Sequence, residues 1–202
     1  MAILIDTSSS MATHLPGACE QILSLLHGIR REAASCEIAV YEFGNLEVAE
    51  AGGFVRQIVP FTSDLRALER ELSRLKTSGG NEYHGRALHR ALTELAWKRG
   101  HTGIILIVGN EPYNQGPVDA IQQEKLARNR GIHVERFYCG QAQEPDAATW
   151  GRSCVHSLDP TGSVLPNPSH FDLADVRYTP YTLKKTRAVG PPRPTPKYPG
   201  ER

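Results

Sequence analysis

The sequence has few of the residues and patterns that mark several common functional classes. It contains four cysteines in 202 residues and no Cys-x-x-Cys pair, which argues against a zinc site built on thiolates. Its formal net charge is +1, so nothing in the overall charge favours nucleic acid or an anionic membrane as a partner. It also lacks the G-x-G-x-x-G, P-loop and G-x-S-x-G motifs. We therefore expect neither a nucleotide-binding enzyme nor a serine hydrolase.

Long apolar runs are absent as well. No stretch is long enough for a transmembrane helix, and the N-terminus lacks the three sections of a signal peptide. We therefore expect a cytoplasmic protein with no membrane span. In that compartment Cys19, Cys36 and Cys139 are expected to be reduced, buried thiols, and a bridge between Cys139 and Cys154 stays open.

The most informative stretch is the N-terminus, where the apolar run 1–5 is followed by Asp6 and three serines. The run predicts a buried strand, and ligands in open α/β sheets bind beyond the carboxyl ends of such strands. Alternate residues of an extended segment face the same way, so Asp6, Ser8 and Ser10 would direct three oxygen ligands to one point. Such a set suits a hard cation such as Mg²⁺. The alternative is that the serines only cap the helix beginning near Pro16.

The remaining chain alternates between helical and strand-like patterns up to about residue 158. Helical spacing is found over 16–34, 64–76, 117–130 and after the glycine-rich segment 77–85; strand patterns cover 37–43, 54–60, 103–109 and 132–139. We expect 54–60 to be a half-exposed edge strand closed by Pro60. The alternation predicts an α/β fold with a doubly wound, mostly parallel sheet and helices on both faces. Polar loops would then meet at one edge of this sheet. Glu82 lies in one of them, where it serves either as a ligand or only as a favourable partner of a helix N-terminus.

Three segments together resemble the loops of a von Willebrand factor type A domain, in a largely uncharacterised bacterial branch of that family. They are 5–11, the Gly79-Gly80 loop, and 107–112. The resemblance covers 1–158 and implies a Rossmann-like sheet that carries a metal-ion-dependent adhesion site. In that family an Asp-x-Ser-x-Ser loop, a Thr and an Asp hold a divalent cation, usually Mg²⁺, whose shell is completed by a partner's carboxylate.

The metal-binding residues of the family are all present in the first loop of this chain, but not in the second and third loops. The first loop matches through Asp6, Ser8 and Ser10, whereas the family's Thr position falls on Glu82 and its third-loop Asp position falls on Gly109. We interpret Glu82 as restoring the carboxylate that is lost at Gly109. An oxygen of Asn110 or Glu111 would complete the site for Mg²⁺, or for Mn²⁺ or Ca²⁺. The alternative is a vestigial site that binds no metal.

These observations predict a binding module and not an enzyme. The partner would be a protein that presents Asp or Glu to the cation, with nearby contacts from Tyr83, His84 and Glu111. One contrasting hypothesis is a structural or assembly subunit that binds through its C-terminal tail. Another is an accessory factor of a partner ATPase, since some bacterial members of the family work beside one.

The tail, 159–202, differs in composition from the preceding domain. It holds most of the fourteen prolines together with several lysines and arginines. Prolines at this density favour extended polyproline II structure, which either remains a disordered arm or docks onto a partner. Two tyrosines, Tyr178 and Tyr181, provide apolar area, and we expect the segment near 171–183 to pack on the domain.

Overall fold

A single mixed sheet forms the centre of the molecule. The computed structural model describes residues 1–32, 35–141 and 144–150, so the predictions for the tail 159–202, the segment 171–183 and Cys154 lie outside the described residues. Five strands adjoin in the order β3-β2-β1-β4-β5. Their bounds are β1 Ala2–Asp6, β2 Ile38–Phe43, β3 Val55–Thr62, β4 Gly103–Gly109 and β5 Ile132–Tyr138. Strand β3 is antiparallel to β2, and the other pairs are parallel.

Helices cover both faces of the sheet, as the alternating pattern predicts. Their bounds are α1 Leu15–Glu32, α2 Leu65–Leu72, α3 His84–Glu94 and α4 Ala120–Asn129. Within β1, Ile3 and Ile5 pack with α1 and α2, whereas Ala2 and Leu4 pack with α3 and α4. Successive residues of a strand point to opposite faces, so this division confirms a central strand that is buried on both sides. The doubly wound, mostly parallel fold is therefore confirmed.

Three predicted boundaries are wrong, each for a local reason. Strand β3 does not end at Pro60 but continues to Thr62; Pro60 is exposed at a register irregularity of this edge strand, where a missing N–H is tolerated. Helix α2 ends at Leu72 instead of residue 76. Helix α4 begins three residues later than predicted, because the Asp119 carboxylate caps it by accepting the backbone N–H of Gln122.

The cysteines of the described ranges are free thiols. Cys139 is fully buried, and Cys19 and Cys36 are half-buried. Burial raises the pKa of the Cys19 thiol to about 11, so this thiol stays protonated at neutral pH. No helix in the described part of the chain is both long and apolar enough to cross a membrane.

Candidate metal site at the carboxyl edge of the sheet

Asp6 is the last residue of the central strand β1, and its carboxyl group is completely buried. Oδ1 accepts the backbone N–H of Ser8 at 2.8 Å, whereas Oδ2 has no hydrogen-bond partner among the described residues. Burial raises the pKa of Asp6 to about 8, and repulsion from Glu82 and Glu111 adds to the effect. A buried carboxyl with one free oxygen leaves a position that a cation or a proton must satisfy.

The serine hydroxyls of the first loop form a short chain that leads away from Asp6. The Oγ atoms of Ser8 and Ser10 lie 2.9 Å apart, and the Ser10 hydroxyl donates to Asn110 Oδ1 at 3.0 Å. The Asn110 amide donates in return to the Ser10 carbonyl at 3.2 Å. Ser8 precedes a short 3₁₀ segment, but its side chain makes no capping bond within the described structure. These hydroxyls therefore connect the first and third loops instead of capping a helix.

Backbone hydrogen bonds hold the first and second loops together. Ser9 N–H donates to the Gly79 carbonyl at 2.8 Å, and Ser78 N–H donates to the Thr7 carbonyl at 3.0 Å. Two bonds in opposite directions fix the separation of the loops without using a side chain. The glycine-rich segment is thus positioned beside Asp6.

Glu82 is the second carboxyl group of the site, and only 7% of its surface is exposed. Burial raises its pKa, repulsion from Glu111 adds to the shift, and the nearby Ser8 hydroxyl opposes it. A Cβ atom added at Gly44 would lie 2.8 Å from Asp6 Oδ1 and 3.4 Å from Glu82 Cγ, so both acidic side chains border the same glycine. Glu82 is also two residues before α3, and the role of helix-dipole partner is compatible with this place.

The site brings three acidic side chains together without an ion-pairing base among the described residues. In the described part of the chain, no Lys or Arg forms an ion pair with Asp6, Glu82 or Glu111. Nor do any three His, Cys, Asp or Glu side chains in these ranges cluster as a ready metal centre. A cation would therefore be held by two carboxylates together with hydroxyl oxygens. This donor set, with its orphan oxygen at Asp6, fits a hard divalent ion.

The three residues predicted to contact a partner have different environments. Tyr83 is half-buried and packs against Phe54, with ring centroids 6.0 Å apart. Glu111 is half-buried, and its carbonyl accepts the indole N–H of Trp150 at 2.8 Å. His84 has no exposed surface, so the prediction that it contacts a partner is wrong.

His84 lies instead in an aromatic cluster beneath the site. Its ring centroid is 5.0 Å from Phe43, 5.3 Å from Tyr113 and 5.1 Å from Trp150. Burial lowers the pKa of His84 to about 3, so the imidazole is neutral. The sequence contains a signal for this burial, since His84 precedes the core residue Leu88 by one helical turn and shares its face.

The doubly wound sheet, with acidic and hydroxyl side chains converging beyond its parallel strands, defines a class of α/β domains whose loops meet at one edge of the sheet. The chain belongs to the von Willebrand factor type A family, whose domain matches residues 1–111. No curated protein sequence matches the chain.

Three solved structures show the same fold at low sequence identity. The VWA domain of SpRpn10 is 14% identical to this chain, with a TM-score of 0.59. The match covers 87% of this chain and 91% of the SpRpn10 chain. BatB of Bacteroides thetaiotaomicron is 20% identical over 70% of this chain and 67% of its own, with a TM-score of 0.58. Proximal thread matrix protein 1 of the mussel byssus, whose MIDAS motif holds zinc, is 13% identical over 79% of this chain and 41% of its own, with a TM-score of 0.58. This chain therefore spans less than half of the mussel protein.

Proposed function

We propose that this protein is a binding module, not a catalyst, which holds a divalent cation at the carboxyl edge of its sheet and uses it to engage an acidic group of a protein partner. The observation that supports this proposal best is the buried carboxyl of Asp6. Its Oδ2 has no partner among the described residues, and a second buried carboxyl, Glu82, lies in the adjoining loop and forms no ion pair with a Lys or Arg of the described ranges.

A cation would stabilise both the unpartnered oxygen of Asp6 and the pair of buried acids. It would supply a partner for the orphan oxygen and offset the burial and the repulsion that raise the pKa of both acids. Asp6 and Glu82 would bind it directly, and the hydroxyls of Ser8 and Ser10 would add neutral oxygens. Asn110 uses its side-chain oxygen to accept the Ser10 hydroxyl, so we assign it the task of positioning that ligand.

The accessible rim of the site supplies the surface for a partner. Ser10 is exposed, and Tyr83 and Glu111 are half-buried. Mg²⁺ retains open positions that a partner carboxylate can fill, and Mn²⁺ or Ca²⁺ accept the same oxygen set. Two direct carboxylates neutralise a divalent ion, so we expect weaker attraction for an acidic partner than at a site with one. The metal-occupied MIDAS motif of the mussel protein supports a cation at this place.

The first experiment is a calorimetric titration of Mg²⁺ and Mn²⁺ into the metal-free full chain. The variants are Asp6→Asn and Glu82→Gln, and Glu50→Gln serves as the control because Glu50 is exposed. We expect binding at about millimolar or tighter in the wild type and the control, with loss in both site variants. Absence of binding in the wild type would overturn the metal site and favour the assembly-subunit hypothesis.

The second experiment tests the partner chemistry. Peptides containing Asp or Glu, with matched Asn or Gln peptides, are presented to the chain in Mg²⁺ or in EDTA. Capture of acidic peptides only in Mg²⁺ supports the proposal. Equal capture of acidic and neutral peptides in EDTA would contradict it.

A further inference from the structure

Two buried polar groups without hydrogen-bond partners among the described residues border Gly109, at the end of β4. A Cβ atom built on Gly109 would lie 3.1 Å from Asp6 Oδ2 and 3.3 Å from His84 Nε2. Neither atom has a hydrogen-bond partner within the described ranges, and both side chains are fully buried. The missing side chain of Gly109 therefore leaves a gap bordered by one carboxylate oxygen and one imidazole nitrogen.

This gap is at the position where the family's third loop carries Asp. A side chain at 109 would compete for space with both neighbours, since contacts of 3.1 and 3.3 Å are tighter than those of ordinary Cβ atoms. The histidine nitrogen therefore lies at the point where the third-loop carboxylate is missing. Sequence spacing alone does not show this link, because His84 begins α3 and Gly109 ends β4.

The aromatic residues around His84 pack against its ring and leave Nε2 as the atom that a ligand can reach. The ring is packed edge-on against Phe43 and Trp150 and is tilted against Tyr113. The Nδ1 atom is also without a partner in the described structure. A buried neutral imidazole without a hydrogen bond is costly unless an ion or a water completes it. The packing holds the ring in place, and Nε2 borders the gap.

We propose that His84 Nε2 replaces the lost third-loop carboxylate as a ligand, so that the site selects a divalent ion that accepts imidazole, such as Zn²⁺ or Co²⁺, over Mg²⁺. Imidazole suits these borderline ions, whereas Mg²⁺ demands oxygen ligands. The inference rests on the proposed function, since it requires a cation at Asp6. It goes further because it assigns a nitrogen ligand and the metal class that follows from it. No three His, Cys, Asp or Glu side chains are preassembled as a metal centre in the described ranges, so the ion would draw His84 Nε2 and the carboxylates together on binding.

The test compares Zn²⁺ and Mg²⁺ affinities of the full chain by competition titration. His84→Phe removes both ring nitrogens and keeps an aromatic ring against Phe43, Tyr113 and Trp150. His101→Phe is the control, since His101 is exposed and precedes the amino end of β4, at the opposite edge of the sheet. We expect His84→Phe to weaken Zn²⁺ binding at least about tenfold and to change Mg²⁺ binding less than about threefold. The control is expected to bind both ions like the wild type.

The possible failures separate this inference from the proposed function. If His84→Phe leaves Zn²⁺ affinity unchanged while Asp6→Asn abolishes binding of both ions, the nitrogen ligand is overturned and the cation site stands. If Asp6→Asn has no effect on either ion, both proposals fail. Gly109→Ala provides an independent check, because its Cβ would intrude on the gap, and unchanged Zn²⁺ affinity would contradict the inference.

A measurement on the wild type removes any dependence on how the variants fold. Anomalous diffraction from crystals grown with Zn²⁺ or Co²⁺ locates the ion directly. We expect it about 2.1 Å from His84 Nε2, the usual distance of a zinc–imidazole bond. An ion bound to Asp6 but beyond coordination distance of that nitrogen would overturn the inference.

Discussion

Gly44 lies directly against the carboxyl group of Asp6. It follows β2 with a φ of +78°, and a Cβ atom at this position would lie 2.8 Å from Asp6 Oδ1. Its N–H donates to the Phe54 carbonyl at 3.1 Å, which fixes the turn. The second strand therefore contributes to the site through the absence of a side chain.

We expect Gly44→Ala to destabilise the fold and to weaken cation binding. The left-handed backbone alone costs of the order of 1 kcal/mol for a residue with a Cβ, and the clash with Asp6 adds to it. Gly100→Ala is the matched control, because Gly100 has a φ of +79° and its Cβ would meet no described atom within 4 Å. Urea unfolding and Mg²⁺ titration of both variants measure the two effects. Equal losses in both variants would show that the contact with Asp6 is unimportant.

The buried carboxyl of Asp6 predicts a pH dependence of the metal-free protein. Its pKa is raised from 3.8 to about 8, so the folded state holds the proton more tightly than the unfolded state. The resulting stabilisation is fully present below about pH 4 and is lost as the pH rises through about 8. Asp6→Asn keeps an oxygen for the Ser8 N–H and carries no charge. We expect this variant to gain stability over the wild type as the pH rises.

Urea unfolding in EDTA at several pH values between 4 and 9 measures this difference. One pKa unit corresponds to about 1.4 kcal/mol, so even part of the shift is detectable. Glu50→Gln controls for the loss of an exposed carboxylate. Wild type and Asp6→Asn giving parallel stability curves would contradict the prediction.

The sequence was sufficient for the fold because the relevant signals are local. The apolar run that ends at Asp6, the alternation of strands and helices, and the aliphatic run of β4 each depend on neighbouring residues. They predict the central strands, the layers and the edge of the sheet where the loops meet. Local patterns also place Asp6, Ser8 and Ser10 beside each other.

The parts that could not be predicted depend on contacts between distant segments. His84 is buried because Tyr113 and Trp150 reach it from later in the chain. The proximity of Gly44 to Asp6 likewise joins the turn after β2 to the end of β1, 38 positions apart in the numbering. A glycine at the end of a strand indicates a turn, but its spacing alone does not reveal which side chain it must accommodate.

Asn110 offers a test of how the third loop supports the first. Its side chain both accepts the Ser10 hydroxyl and donates to the Ser10 carbonyl. We expect Asn110→Ala to weaken cation binding about tenfold, since residues that orient a ligand commonly contribute this much. Ser9→Ala is the control, because Ser9 joins the second loop through its backbone N–H, which the substitution retains. Calorimetry on the two variants should separate them, and identical affinities would contradict the role given to Asn110.

Arg136 is expected to stabilise the aromatic cluster around His84, beneath the site. Its guanidinium donates two hydrogen bonds to the Glu124 carboxylate, at 2.6 and 2.7 Å, and lies 4.1 Å from the centre of the Tyr113 ring. A third bond, of 2.7 Å, reaches the Trp150 carbonyl. The side chains of Arg136 and Glu124 are only 15% and 11% exposed. Arg136→Met would leave the buried Glu124 carboxylate without a counter-ion, with only the Tyr113 hydroxyl donating to it among the described residues, and loss of such a partner costs about 3–5 kcal/mol.

The matched control is Arg74→Met, because Arg74 pairs with Glu71 at the surface and its side chain is 65% exposed. We expect this control to lose less than about 1 kcal/mol. Urea unfolding compares the two variants, and near-ultraviolet circular dichroism reports the packing of Trp150. Since Tyr113 and Trp150 form two walls around His84, Arg136→Met should also loosen that ring, whereas Arg74→Met should leave it in place. Similar stability losses in the two variants would show that burial of the Arg136 pair is unimportant.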